Sequence, residues 1–231
     1  MRKPSNQLGN KMFIINCKNY DEIAGDKIIK IAKISEKVSR KYKVPIAIAP
    51  PHHLIPLITK FKITVLAQHV DDKKVGSTTG FMVPEIVKKS KINGSIINHS
   101  EHRISEKEII SLVKRLQKLK LKTVLCVKNV NEAKKYAKLN PTFIAIEPPE
   151  LIGTGRAIST EKPALITNAV KAVSSAKNST KLLCGAGIVS GQDVSKAKEL
   201  GSKGILVASG IVKAKNWEKI ISEFCKGLKS Q

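Results

Sequence analysis

The sequence predicts an α/β protein that forms a single (β/α)₈ barrel, a closed eight-stranded parallel sheet surrounded by helices. Short aliphatic runs alternate with helical patterns along the whole chain, and eight such runs fit the length of 231 residues. Strands separated by helices pair in parallel through right-handed crossovers. An open doubly wound sheet remains the alternative, although no GxGxxG sequence follows the first strand.

The predicted strands are rich in Ile, Leu, Val and Ala, as expected for strands that are buried on both faces. They cover residues 13–17, 46–49, 64–68, 95–98, 123–127, 143–147, 181–184 and 204–208. The segments between them are long enough for a helix or a short crossover.

Helical patterns occupy several of these segments. Apolar residues fall on one face of the segment 25–42. Ser105 and Glu108 have the spacing of a capping box, in which each side chain satisfies a free amide at a helix start. Ser190 and Asp193 predict a similar start for a later helix.

Composition favours one cytoplasmic domain that covers residues 1–231, with residues 1–10 as a candidate disordered extension. The longest apolar runs are far shorter than the ~20 residues of a membrane helix, and the polar start contains no secretory signal. The four cysteines form no CxxC pair, which argues for reduced thiols rather than a zinc site. They are Cys17, Cys126, Cys184 and Cys225, and we expect the first three to be small buried side chains.

The chain is strongly basic, with a net charge of +24. Lysines occur on most predicted helices, and no basic tail or aromatic-basic tract is present, so a lysine-rich solvated surface is the favoured interpretation. Nucleic-acid binding remains a rival function from a different class, and faster capture of an anionic substrate is a further hypothesis.

Reactive side chains follow several of the predicted strands. Asn16 and Lys18 follow the first strand, His99 follows the fourth, and Glu147 ends the sixth. Because the carboxyl ends of barrel strands meet at one face, these residues should share a site. Glycine turns after the seventh and eighth strands would bring backbone amides to an anion there.

Five fragments of the chain form a recognisable set: an Asn-x-Lys, an Asn-His-Ser-Glu, a Glu-Pro-Pro-Glu followed by Gly-Thr-Gly, and two glycine turns. They lie at residues 15–18, 98–103, 145–155, 184–188 and 207–210. With these fragments in this order, the chain resembles the triosephosphate isomerase family, especially its archaeal branch.

The resemblance implies a TIM barrel that interconverts dihydroxyacetone phosphate and D-glyceraldehyde 3-phosphate through an enediolate, in glycolysis and gluconeogenesis. Glu147 would be the catalytic base, His99 a neutral electrophile, and Lys18 the cation that stabilises the enediolate. No metal or organic cofactor is implied. The expected partners are a small phosphorylated substrate and further copies of the chain, as a homotetramer or alternatively a homodimer, rather than a membrane or nucleic acid.

A lid at about residues 148–156 would close over the substrate and bring the Gly153 amide to its phosphate. The resemblance implies these substrate-binding residues: Asn16, Lys18, Ile152, Gly153, Gly185, Gly187, Ala208 and Ser209. Another phosphate-binding barrel enzyme, such as an epimerase, would share the glycine turns but lack the set of Lys18, His99 and Glu147.

Other polar residues carry weaker expectations. His52 and His53 are interpreted as helix-start residues, His69 as a packed or interface residue, and His102 has no assigned role. Glu101 and Cys126 are as consistent with a structural role as with one that supports the catalytic residues. Trp217 should anchor the last helix to the core.

Overall fold

The computed structural model describes residues 11–229 and confirms the predicted closed barrel. Eight parallel strands pair in chain order, and the last strand pairs with the first. The predicted extension at residues 1–10 lies outside the described residues, so its disorder stays a prediction.

Every predicted strand is present. The strands are β1 Met12–Asn16, β2 Ile46–Ala49, β3 Thr64–Ala67, β4 Gly94–Ile97, β5 Lys122–Val127, β6 Phe143–Ile146, β7 Lys181–Cys184 and β8 Gly204–Val207. For β1, β3, β4, β6 and β8 the sequence prediction extended one residue too far, because strand pairing ends one residue before the predicted end. Asn98, for example, has a φ of 60° and turns the chain out of β4.

Helices connect the strands and surround the sheet. They are α1 Lys27–Tyr42, α2 Ile55–Ile58, α3 Pro84–Lys89, α4 Glu106–Lys118, α5 Val130–Ala137, α6 Ile158–Glu161, α7 Pro163–Ser174, α8 Gly191–Glu199, α9 Ser209–Val212 and α10 Trp217–Lys229. Both predicted capping boxes are confirmed, at Ser105 with Glu108 and at Ser190 with Asp193. His52 and His53 begin a 3₁₀ turn before α2, as the sequence predicted.

Two apolar layers stabilise this architecture. Side chains that alternate along the strands fill the barrel interior, among them Met12, Leu66, Val124 and Leu206. A larger layer between the sheet and the helices contains Phe13 and the aliphatic faces of the helices. The barrel interior is therefore a packed core rather than a pore, and a binding cleft can form only at one of its ends.

Trp217 packs against the outer layer, and its indole N–H donates to the Val212 carbonyl at 3.0 Å. It thereby anchors the start of α10, as predicted. Within residues 11–229 no helix is long and apolar enough to cross a membrane.

Candidate active site

A cleft of about 480 Å³, part of which is open to solvent, lies at the carboxyl ends of the strands. It is lined by residues that follow β1, β4, β6, β7 and β8. Among them are Lys18, His99, Glu147, Ile152, Gly153, Gly185, Gly187, Ala208 and Ser209. The structure thus brings together all the sequence-predicted site residues except Asn16, which lines the adjoining cavity with Lys18 and His99.

Glu147 follows β6 directly, and its side chain is only 3% exposed. Its backbone N–H donates to the Val127 carbonyl at 2.8 Å, which fixes the direction in which the side chain leaves the sheet. Burial raises the pKa of the carboxyl group above its ordinary value, against the opposing effects of His99 and the Cys126 thiol. Its Oε2 atom has no hydrogen-bond partner among the described residues. A buried, basic and unpaired carboxylate oxygen is suited to accept a proton from a bound molecule.

Gly185, after β7, leaves the space that the Glu147 side chain occupies. A Cβ atom at position 185 would lie 2.4 Å from the Glu147 Cγ atom and 2.9 Å from Oε1. The sequence predicted that this glycine belongs to a phosphate-binding turn. The structure adds a second requirement for it, since any side chain here would displace the carboxylate.

His99 lies opposite Glu147, with 3.6 Å between its Nε2 atom and the Glu147 Oε1 atom. The backbone N–H of Glu101 donates to His99 Nδ1 at 3.2 Å. Because Nδ1 accepts a hydrogen bond, the ring proton sits on Nε2, which points into the cleft. The imidazole can therefore present a donor to the site.

Asn98 determines where His99 points. It is fully buried and adopts a left-handed conformation with a φ of 60°. Its Nδ2 atom donates to the Cys126 carbonyl at 3.0 Å, and its Oδ1 atom accepts from the Ile104 amide at 3.2 Å. These bonds connect the ends of β4 and β5 and stabilise the turn that presents the histidine.

Lys18 also has a left-handed backbone, with a φ of 44°. Asn16 Oδ1 accepts from the Lys18 amide at 3.1 Å, and Gln68 Nε2 donates to the Lys18 carbonyl at 2.9 Å. The lysine Nζ atom lies 2.6 Å from Glu101 Oε1. Two side chains thus hold an unfavourable backbone conformation that brings the ammonium group to the mouth of the barrel.

The predicted lid begins with a 3₁₀ turn, Pro149–Leu151, that is pinned by the buried Leu151. Ion pairs flank it, between Lys162 and Glu150 and between Arg156 and Glu161. Its tip at Gly153 is exposed and has a φ of 74°. The segment is therefore anchored at both ends while its glycine-bearing tip lies over the cleft.

Two glycine turns form the opposite wall of the cleft. Gly187 has a φ of 68°, and a Cβ atom there would lie 1.8 Å from the Arg156 carbonyl oxygen at the end of the lid. After β8, Ala208 leads into the short helix α9, whose first amides have no carbonyl partner inside the helix. Such amides can bind an anion.

Sequence reasoning missed two residues that position this machinery. Asn98 was part of a motif but received no role, and Gln68 received none. Each is an amide side chain directly after a strand, a pattern that could have identified both, because a polar side chain at a strand end must find partners in the mouth of the barrel.

The remaining histidines line the adjoining cavity. His69 is 9% exposed, as a packed residue should be, and its ring stacks on that of His102 with centroids 4.0 Å apart. Within the described part of the chain no group of three or more His, Cys, Asp or Glu side chains is placed to hold a metal ion. Burial raises the pKa of Cys17 to about 12, and all four cysteines are buried.

Comparison with known proteins gives a consistent result. The family described as Triosephosphate isomerase matches residues 11–224. A triosephosphate isomerase from Cenarchaeum symbiosum (strain A) is 52% identical over 217 residues, which cover 94% of this chain and 97% of the relative. One from Methanocaldococcus jannaschii is 42% identical over 216 residues, covering 93% of this chain and 99% of the relative. A third, from Sulfurisphaera tokodaii, is 44% identical over 214 residues, covering 92% and 93%.

Proposed function

This chain belongs to the archaeal branch of the triosephosphate isomerase family, and we propose that Glu147, His99 and Lys18 catalyse its reaction. The reaction interconverts dihydroxyacetone phosphate and D-glyceraldehyde 3-phosphate. A proton must leave one carbon and return to its neighbour, so one base and one electrophile are sufficient.

Glu147 is the base in this proposal. It takes the proton from the carbon beside the substrate carbonyl and returns it to the neighbouring carbon after an enediolate has formed. Burial supports this role because the raised pKa of the carboxyl group brings its basicity closer to that needed for carbon deprotonation. The unpaired Oε2 atom supports it as well, because one carboxylate oxygen is free to accept the proton.

His99 polarises the carbonyl with its Nε2–H, and the same nitrogen passes protons between the two substrate oxygens. A neutral imidazole suits this role, because it can donate and take back a proton without carrying a permanent charge. Lys18 supplies the fixed positive charge that stabilises the enediolate. Asn16 acts on this charge indirectly, since it holds the backbone from which the lysine extends.

The substrate phosphate lies against the glycine turns in this proposal. Gly185, Gly187, Ala208 and Ser209 present backbone there, and the lid contributes Ile152 and the Gly153 amide on closing. Closure would exclude water, which strengthens every charge interaction around the enediolate. No metal or organic cofactor takes part in this scheme.

The observation that carries the proposal is the 3.6 Å approach of a buried carboxylate to the His99 ring in a cleft that Lys18 also lines. The test is a coupled assay with glyceraldehyde 3-phosphate that compares wild type with Glu147→Gln. Removing the base should lower kcat at least ~10²-fold. Glu223→Gln is a control that makes the same chemical change outside the cleft, at a glutamate of α10 that accepts the Gly191 amide at the start of α8. A folded Glu147→Gln variant that keeps wild-type kcat would refute the assignment of the base.

We further propose that the protein works in the cytoplasm, in glycolysis and gluconeogenesis, as one domain of residues 1–231 that assembles into a homo-oligomer. A homotetramer is the expected form and a homodimer the alternative. Val75 and Phe81 support an assembly, because these apolar side chains are 56% and 45% exposed on the loop between β3 and α3. Light scattering coupled to size-exclusion chromatography measures the mass, and a monomeric mass would overturn this part of the proposal.

A further inference from the structure

The end of the barrel opposite the cleft carries the turns that lead from each helix into the next strand. We call this surface the basic face. It consists of residues 43–45, 59–63, 90–93, 119–121, 138–142, 175–180 and 200–203. Each of these turns contains at least one lysine, and none contains an aspartate or a glutamate. Lysines do occur on most helices, as the sequence suggested, but the fold adds a concentration of them at this end.

The lysines of the basic face have no carboxylate partners. Each turn lysine is exposed, and within residues 11–229 none of them forms an ion pair. Two carboxylates adjoin the face: Glu36, which accepts the Lys62 amide, and Glu199 at the end of α8. Just beside the face, the pKa of Lys11 is lowered by partial burial and then by repulsion from Lys198, Lys203 and Lys229. The positive charge of these lysines is therefore not neutralised by paired carboxylates.

Four of these lysines occupy positions where lysine is unfavourable. They follow helix ends in the left-handed conformation, and they are Lys43 (φ 54°), Lys91 (φ 62°), Lys120 (φ 55°) and Lys177 (φ 51°). Glycine and asparagine adopt this conformation more easily. The equivalent positions after α5 and α8 hold Asn140 and Gly201. A cation does interact favourably with a helix carboxyl end, but a left-handed lysine loses about as much stability as that interaction gains. Stability alone does not explain four lysines here.

We propose that the basic face binds the phosphate backbone of double-stranded nucleic acid, independently of sequence. The turns that lead into β2 to β8 follow one another around the barrel, and each carries a lysine. Packed helices lie about 8–10 Å apart, which is about one Debye length at physiological salt. The fields of these lysines therefore add, as is needed to displace counterions from a polyanion. The turns contain no arginine, the residue best suited to bidentate base recognition.

Two features favour a nucleic-acid duplex over other polyanions. The exposed large apolar side chains of the described chain all lie outside the basic face, so the face lacks the apolar residues that anchor proteins to membranes. Tyr42, beside the face, and Phe61, within it, are half-buried against the core, and the ammonium groups of Lys41 and Lys60 lie over their rings, so neither ring is open for stacking unpaired bases. Because the cleft lies at the opposite end of the barrel, a bound duplex leaves the isomerase site accessible.

The test is fluorescence anisotropy with a labelled random-sequence DNA duplex of about 24 base pairs, titrated with the full-length protein at several salt concentrations. The test variant combines Lys43→Asn, Lys91→Asn, Lys120→Asn and Lys177→Asn, which removes four charges and relieves the left-handed lysines. The control variant combines Lys27→Gln, Lys30→Gln, Lys107→Gln and Lys215→Gln, which removes the same charge from exposed positions elsewhere.

We expect the test variant to bind at least tenfold more weakly at about 150 mM salt. The slope of the logarithm of the binding constant against the logarithm of the salt concentration should become less steep by about two. The reason is that a duplex that crosses the face contacts about half of the four lysines at once. The control variant should stay within threefold of wild type, and both variants should keep the wild-type kcat/KM for triose phosphate. Equal losses in the two variants would overturn the proposal, because binding would then depend on net charge alone. Absence of duplex binding by wild type would also overturn it, and so would binding confined to vesicles that contain about 30% anionic lipid.

Discussion

Replacing Gly185 by alanine tests how finely the position of the catalytic carboxylate is set. The backbone φ of Gly185 is not in the left-handed region, so alanine is compatible with the turn itself. The new Cβ atom would nevertheless lie 2.4 Å from the Glu147 Cγ atom. Van der Waals contacts of this kind begin near 3.4 Å, so the glutamate side chain has to retreat by about 1 Å.

A displacement of this size should be costly for catalysis and cheap for folding. Misplacing a catalytic group by about 1 Å can lower the rate about 10²-fold, which corresponds to about 2.7 kcal/mol of transition-state stabilisation. The backbone amide of residue 185 is retained in the variant, so contacts from this turn to the phosphate should persist. We therefore expect kcat to fall about 100-fold while KM changes less than about threefold.

The assay is steady-state kinetics in both reaction directions, with the melting temperature measured in parallel. Gly191→Ala is the matched control, since its Cβ atom would also crowd a glutamate, Glu223, at 2.9 Å but far from the cleft. The control should keep wild-type kcat. If Gly185→Ala retains kcat within about threefold, the close fit between this turn and the carboxylate does not govern catalysis, and the reasoning fails.

Three further predictions follow from buried polar groups. Because burial raises the folded-state pKa of Glu147 above its unfolded value, its contribution to stability falls as the pH rises between these two values. Glu147→Gln should therefore melt at a higher temperature than wild type at about pH 8, with the advantage disappearing near pH 4, and an advantage independent of pH would contradict this. Asn98→Ala removes two buried hydrogen bonds and replaces a residue type that tolerates a φ of 60°. Urea unfolding should therefore show a free energy of unfolding that is lower by about 2–4 kcal/mol. A decrease below about 1 kcal/mol would argue against the positioning role of Asn98. Burial raises the pKa of Cys17 and Cys184 to about 12, so mass spectrometry should find neither thiol labelled in the native protein at about pH 8 and both labelled after unfolding.

The sequence predicted the fold and the order of its strands because both depend on local patterns. Alternation of aliphatic runs with capped helices requires no knowledge of distant contacts, and β2 and β7 are bounded as predicted. The reactive residues could be placed on one face because a parallel barrel brings every strand end to the same side. What the pattern could not give was the approach of Gly185 to Glu147, since that distance depends on the register between β6 and β7.

The left-handed backbone of Lys18 was inaccessible to sequence reasoning for a similar reason. Lysine has no preference for that conformation, and it is held there by Asn16 and by Gln68, which lies 50 residues away in the chain. The role of Gln68 therefore depends on the left-handed backbone of Lys18, which only the structure shows. Functional side chains were predictable from their chemistry, whereas the residues that constrain them were predictable only from tertiary contacts.

The location of the charge also changes the expectation that the net charge of +24 speeds substrate capture. The basic face and the cleft lie at opposite ends of strands such as β1, whose five residues span about 17 Å. This distance is about two Debye lengths at physiological ionic strength, so the lysines of the basic face contribute little field at the mouth. At the mouth itself Lys18 is paired with Glu101, and Lys162 is paired with Glu150. Attraction of the substrate should therefore depend on Lys18 and the amides of the glycine turns rather than on the lysines of the basic face.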